Sequence, residues 1–163
     1  LAKSLGGGIL PFAGIVAKEK LDVMGSRALG HYTHEKNPVC CAAALTAIEF
    51  IEENKLPENA ALQGDYALSK FNEMKNIHRL IGDVRGKGLL MGVELVKDRE
   101  TKERASKEAE VVMYKAMEKG LSFKLSLGNI LTLNPALTIN KKEMDDAINI
   151  IDDCLSEVER NRY

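Results

Sequence analysis

The sequence predicts strands and helices in layers, an α/β or α+β arrangement. Two observations predict it. Short apolar runs of strand length alternate with longer segments of helical period. Helix signals also stand between these runs: Asn37-Pro38, Gly120, and Asn140 with Glu143. The composition agrees, with 45% hydrophobic and 29% charged residues among 163, as in ordinary globular proteins. That length suits one domain, or a domain with a fragment of another, and is enough to bury a core.

The elements follow in chain order. Residues 12–17, FAGIVA, read as a short buried strand, and KEKLDVMG as one or two helical turns. Residues 26–36 are polar and without period, so they read as loop. Asn37 is a good N-cap and Pro38 suits the first helical position, which predicts a helix through NPVCCAAALTAIEFIEENK. Cys41, Ala44, Leu45 and Ile48 share one face, and the opposite side is also apolar until Glu49, so this helix is expected to be buried on most sides. Pro57 restarts a helix over about residues 58–75 with Ala60, Gly64, Ala67, Phe71 and Met74 at helical spacing.

IGDVRGKG reads as a break and LLMGVELV as a strand. KDRETKER reads as a solvated linker. A helix over 105–119 carries Ala109, Val112, Met113, Ala116 and Met117, and Gly120 ends it. LSFKL and ILTLN are short strands joined around Gly128. Asn140 and Glu143 then form a capping-box variant before a last helix. Its stripe is Met144, Ala147, Ile148, Ile151, Leu155 and Val158. A soft boundary is expected near residues 76–80. The first part holds too little sheet to stand alone, so the chain is expected to be a piece of a longer protein.

Several function classes are disfavoured. The net charge is −1 and no long Lys/Arg run occurs, so nothing argues for nucleic acid. Trp is absent and aromatics are 5%, which disfavours base-stacking platforms. Cys40 and Cys41 are adjacent and Cys154 is distant, no C-x-x-C occurs, and His31, His34 and His78 add no zinc spacing. No metal site is expected, and a reduced, cytoplasmic compartment is. No apolar run of about 18 residues predicts a membrane span, and no signal peptide is expected.

The segment with the most chemistry is Lys3-Ser4-Leu5-Gly6-Gly7-Gly8. Its lysine precedes the glycines, whereas a P-loop lysine follows them. The residues alone leave a weak phosphate cradle, a covalent attachment point, or a surface lysine before a flexible turn.

Four segments taken together resemble a known family. LAKSLGGG with LPFAGIVA, then GHYTHEKNPVCCAAALTAIEFIEE, then IGDVRGKGLLMGVELVKD, then NPALTINKKEMDDAINII run in the order of the class III, pyridoxal-phosphate-dependent aminotransferases of fold type I. Within them the chain is most similar to dialkylglycine decarboxylase-like and omega-amino acid aminotransferase-like members. The resemblance implies residues 1–77 as the C-terminal piece of the cofactor-binding large domain and 78–163 as the small domain.

The resemblance also implies roles. Lys3 would bind pyridoxal 5'-phosphate by making a Schiff base with its aldehyde, then act as general base and acid. The glycines let the backbone turn sharply beside the cofactor. Thr33 would reach the cofactor phosphate of a neighbouring subunit, which implies a homodimer with shared active sites. Arg85 and Glu94 are expected to be structural and His34 to be loop scaffolding.

Two departures stand out. Many members that handle α-carboxylates carry an arginine before a P-P-L-T pattern, and Thr132 in LTLNPALT occupies that place. A threonine cannot supply that charge. The substrate would then be gripped elsewhere, lack an α-carboxylate, or be a phosphorylated or phosphonate amine. GGGILP also has one residue more than the usual GGGLP.

The implied reaction is amino transfer from an amine or amino acid to a 2-oxo acid. Decarboxylation, racemisation and ammonia elimination are alternatives on the same cofactor. A cofactor-free folding or dimerisation module is the non-enzyme alternative. The family's ring-nitrogen aspartate lies upstream, so these residues are expected to be inactive alone.

Overall fold

The structure is a computed structural model. It describes residues 1–27, 30, 33 and 35–161. The residues form two compact units, Leu1–Lys55 and Leu56–Tyr163.

In the first unit a 3-10 turn spans Lys3–Gly6 and a second spans Glu19–Leu21. The first stretch closes on itself: the Gly14 N–H donates to the Leu1 carbonyl at 2.9 Å and the Leu10 N–H to the Gly6 carbonyl at 3.2 Å. Helix α1 runs Pro38–Glu53. The Asn37 side chain caps it, accepting from the N–H groups of Val39 at 3.0 Å and Cys40 at 3.4 Å.

Two expectations fail in this unit. Residues 12–17 form no strand, and Ile15 and Val16 are 94% and 87% exposed. A strand needs a ladder partner for its backbone groups, and the described residues of this unit contain no strand to supply one. Helix α1, expected to be buried on most sides, buries only Ala44; Val39, Leu45, Ile48 and Phe50 are exposed.

The second unit is a four-stranded antiparallel sheet with three helices. Its strands are β1 (Ile81–Lys87), β2 (Leu90–Leu95), β3 (Lys124–Ser126) and β4 (Ile130–Leu133), in the order β1-β2-β4-β3. Helix α2 is Leu56–Met74, α3 is Ser106–Glu118 and α4 is Lys141–Asn161. Helix α2 packs on β1 and on α4, and α3 packs on α4. Phe71, Ile81, Val93, Leu131, Ile151 and Leu155 are fully buried between them. Because α2 lays Ala67, Phe71 and Met74 into this core, the compact units part at Lys55/Leu56, earlier than the soft boundary placed near residues 76–80.

Strand β1 is the element missing from the sequence reading, which took IGDVRGKG as a break. Its glycines stand where neighbours come close rather than where the chain ends. A Cβ on Gly82 would meet the Val96 side chain at 2.7 Å, and one on Gly86 would meet the Leu90 carbonyl at 2.6 Å. Strand β4 forms within the expected ILTLN run, whereas β3 begins only at Lys124, three residues into LSFKL, and ends at Ser126; Leu127 at φ 53° and Gly128 at φ 83° turn the chain between them.

Helix α4 follows its sequence signals. The Asn140 side chain accepts from the Glu143 N–H at 3.0 Å, and the Glu143 carboxylate accepts from the Asn140 N–H at 3.0 Å. Met144, Ile148, Ile151, Leu155 and Val158 are buried along one stripe. Asn140→Ala is expected to lower stability by about 1 kcal/mol, measured by urea denaturation of the full-length protein.

Glu157 ties α4 to α3. Its two oxygens accept from Lys115 at 2.8 Å and Lys119 at 2.9 Å. Hydrogen bonds from these two lysines hold its carboxyl down at about 2, against an ordinary 4.5. A depressed carboxyl stabilises the fold above its unfolded value, and that contribution disappears as pH falls from about 4.5 toward 2. Glu157→Gln is expected to flatten the acid limb of the stability–pH curve in that window. An unchanged limb would show that the pair contributes nothing.

Candidate functional site

Lys3 opens the first 3-10 turn with a left-handed backbone, φ 61°. Gly7 and Gly8 follow at φ 74° and 76°. Glycine takes that conformation freely; for lysine it costs on the order of 1–2 kcal/mol. Strained residues of this kind cluster at ligand sites. Gly6 is buried, and a Cβ there would stand 3.4 Å from the Phe12 Cβ. The turn therefore wraps tightly around the lysine's backbone while the side chain is exposed.

Thr33 is exposed in a turn of the same unit. His31 and His34 lie outside the described residues. No hydrogen bond links Lys3 to Thr33 among the described residues. What the first unit offers is an exposed primary amine at a glycine turn, and a separate hydroxyl with its own backbone N–H. A primary amine condenses with aldehydes, and a hydroxyl with an N–H suits a phosphate oxygen. The two donor types fit an aldehyde-bearing phosphate ester.

The remaining sequence candidates lie in the second unit. Arg85 on β1 donates through Nη1 to Asp83 at 2.6 Å and to Glu94 at 2.7 Å. These hydrogen bonds raise the guanidinium pKa further. Arg85 and Glu94 are thus partners in a cross-strand ion pair. Thr132 lies within β4, and its hydroxyl is 2.7 Å from that of Ser126.

One cluster around a buried histidine was invisible in the sequence. The His78 ring is 1% exposed, with Nε2 at 2.6 Å from Asp152 and Nδ1 at 3.1 Å from Glu159. Glu159 also accepts from the Leu80 N–H at 2.9 Å. These carboxylates are 74 and 81 positions away in the chain, and no local pattern points to them. The cluster pins the end of α2 to α4. An apolar crevice of about 200 Å³ lies over Phe71, Met91, Leu133, Met144 and Ile151; it is a gap in the core with little polar chemistry. Among the described residues, no group of three His, Cys, Asp or Glu stands ready to hold a metal ion. No described helix is long and apolar enough to cross a membrane.

Comparison with known proteins places this architecture. The sequence model of the aminotransferase class-III family matches residues 1–155. The chain is 46% identical over 164 residues to the leucine/methionine racemase of Thermococcus litoralis, covering 99% of this chain and 36% of that protein. It is 42% identical over 158 residues to the (R)-1-hydroxy-2-aminoethylphosphonate ammonia-lyase of Vibrio splendidus, covering 97% of this chain and 33% of that protein. A solved aminotransferase from Bacillus anthracis superposes with a TM-score of 0.87 at 33% identity, over 96% of this chain and 38% of that one.

The chain thus spans about a third of the length of the curated relatives it matches, and its fold is the corresponding part of the fold type I transferases. Relatives named for racemisation, ammonia elimination and amino transfer all share this segment, so the segment alone does not select the reaction. The chain belongs to the class-III aminotransferase family, whose members depend on pyridoxal phosphate.

Proposed function

We propose that this chain is the C-terminal part of a pyridoxal-phosphate-dependent aminotransferase that moves an amino group from an amine or amino acid to a 2-oxo acid. The observation that supports it most is Lys3, whose exposed side chain leaves a left-handed, glycine-flanked turn at the head of the family match. When bound, the cofactor supplies an electron-withdrawing ring. Lys3 would hold it through the side-chain amine. Released from that bond, the same amine would move a proton to and from the substrate carbon that bears nitrogen.

Thr33 would donate its hydroxyl and N–H to the phosphate of a cofactor held by a second subunit. The active protein would then be a homodimer with shared sites, in the cytoplasm. Residues 1–77 would complete the large domain and 78–163 form the small one. These residues alone would be inactive, because most of the cofactor pocket comes from the rest of the protein.

A second reading keeps the same lysine and changes the outcome to racemisation, ammonia elimination or decarboxylation. Thr132 favours it, since a hydroxyl replaces the guanidinium that grips an α-carboxylate in many transferring members. The similarity to a racemase and to an ammonia-lyase points the same way.

The test uses the full-length enzyme with candidate amines, with and without a 2-oxo acid. The expected result is a new oxo product that forms only when the acceptor is present. Ammonia or carbon dioxide released without acceptor, or inversion of the amino-bearing carbon, would overturn amino transfer and support the second reading.

A further inference from the structure

The Lys3 backbone sits in the left-handed region at φ 61°, a conformation that a lysine does not choose by itself. Its side chain is exposed and has no hydrogen-bond or ion-pair partner among the described residues. The direction of its amine is therefore set by the backbone beneath it, and that backbone must be held by its neighbours.

Three ties hold it, all within the first unit. The Leu1 nitrogen donates to the Gly14 carbonyl at 2.8 Å, and the Gly14 N–H returns a bond to the Leu1 carbonyl at 2.9 Å. This clasp closes the loop two residues before Lys3. After Lys3, the Gly7 N–H donates to the Ser4 carbonyl at 2.9 Å and closes the turn itself. The third tie is Leu10-Pro11-Phe12. Pro11 fixes its own φ and disfavours helical backbone at Leu10, so the link from Leu10 to Phe12 is stiff. Leu10 and Phe12 are half-buried, with Pro11 exposed between them. Both close on the buried Gly6: a Cβ there would stand 3.4 Å from the Phe12 Cβ and 3.6 Å from the Leu10 Cβ. The Leu10 N–H also donates to the Gly6 carbonyl at 3.2 Å. Helix α1 packs on the same turn.

We infer that Phe12 is a positioning residue for Lys3. It covers Gly6 and so keeps the turn, and the strained backbone from which the amine springs, in the shape that brings the amine to an aldehyde carbon. In that step the Lys3 nitrogen adds to the carbonyl carbon, a C=N bond replaces C=O, and the oxygen leaves as water. A displacement of about 1 Å in such a group can cost about a hundredfold in rate. With Phe12 truncated, the turn is free to relax toward ordinary negative φ, and the root of the amine moves. The inference rests on the role proposed above for Lys3 and names the residue that aims it.

The experiment compares the full-length enzyme with Phe12→Ala and Phe12→Leu. Each apoenzyme is mixed with pyridoxal phosphate and reduced with borohydride at timed intervals, and the label on Lys3 is measured by mass spectrometry. In Phe12→Ala the labelling rate is expected to fall at least about tenfold, with the melting temperature of the apoenzyme little changed. Phe12→Leu should recover most of the rate. In the holoenzyme, kcat is expected to fall with the labelling rate while KM stays nearly constant.

Hydrogen exchange over residues 1–16 gives a readout that needs no cofactor. Protection at Gly7, Leu10 and Gly14 is expected to be lost in Phe12→Ala. An unchanged labelling rate in Phe12→Ala would overturn the inference. So would a slower rate that follows an equal loss of melting temperature and is not recovered by Phe12→Leu, since that marks a merely structural residue. Absence of label on Lys3 in the unsubstituted enzyme would instead overturn the reading beneath it, while the exchange still decides whether Phe12 holds the turn.

Discussion

Lys3→Ala in the full-length enzyme is expected to abolish the cofactor's visible band and to reduce turnover by roughly 10⁴-fold or more. Two losses would combine. The covalent hold proposed for Lys3 would disappear, and so would the proposed proton carrier at the reacting carbon, which by itself would contribute about 10²–10⁴. Stability should behave differently. The Lys3 side chain is exposed, and its backbone occupies the left-handed region at φ 61°. Lys3→Gly relieves that strain and is expected to leave the melting temperature unchanged or slightly raised, a gain of up to about 1 kcal/mol, while turnover collapses. Opposite movements of activity and stability mark a residue kept for chemistry. Turnover above a hundredth of the original, or borohydride trapping that leaves Lys3 unlabelled, would end the assignment.

The largest structural effect is expected at Gly64, within α2. Helix propensity alone favours alanine over glycine there by about 1 kcal/mol. The tertiary contact reverses the sign. A Cβ on Gly64 would stand 2.2 Å from the Gly88 carbonyl oxygen and 2.4 Å from its carbon. Both belong to the backbone of the β1–β2 turn, where Gly88 is itself left-handed at φ 53°. No side-chain rotation relieves that overlap, so the hairpin must move away from the helix. Gly64→Ala is expected to destabilise by about 2–4 kcal/mol net, read from the denaturation midpoint. An increase in stability would mean that the hairpin yields at little cost and that the packing of α2 on β1 is looser than described.

The elements that were legible carry their signal within one or two turns of chain. Asn37 caps α1 and Gly120 ends α3 at φ 89°. Asn140 with Glu143 opens α4. In each case donor and acceptor lie within a few residues. Strand β1 was hidden because glycine and charge usually mark a break, whereas here Gly82 and Gly86 make room for Val96 and Leu90. Residues 12–17 misled in the other direction: an apolar run promises burial, but a strand exists only with a neighbour. Lys3 and its glycines stood out in the sequence, whereas the ion pairs of Arg85 with Asp83 and Glu94 follow from strand pairing.

The sequence by itself determined where α1, α3 and α4 begin or end, which stripe α4 buries, and that a lysine precedes a glycine turn. Hydrogen bonds and periodicity within three to four residues set these features. The tertiary structure alone decided that α2 joins the sheet, that His78 meets Asp152 and Glu159, and that Arg85 meets Glu94 across two strands. Such neighbours depend on strand register and on contacts between segments far apart in the chain, and a register shift of one residue turns every side chain to the other face.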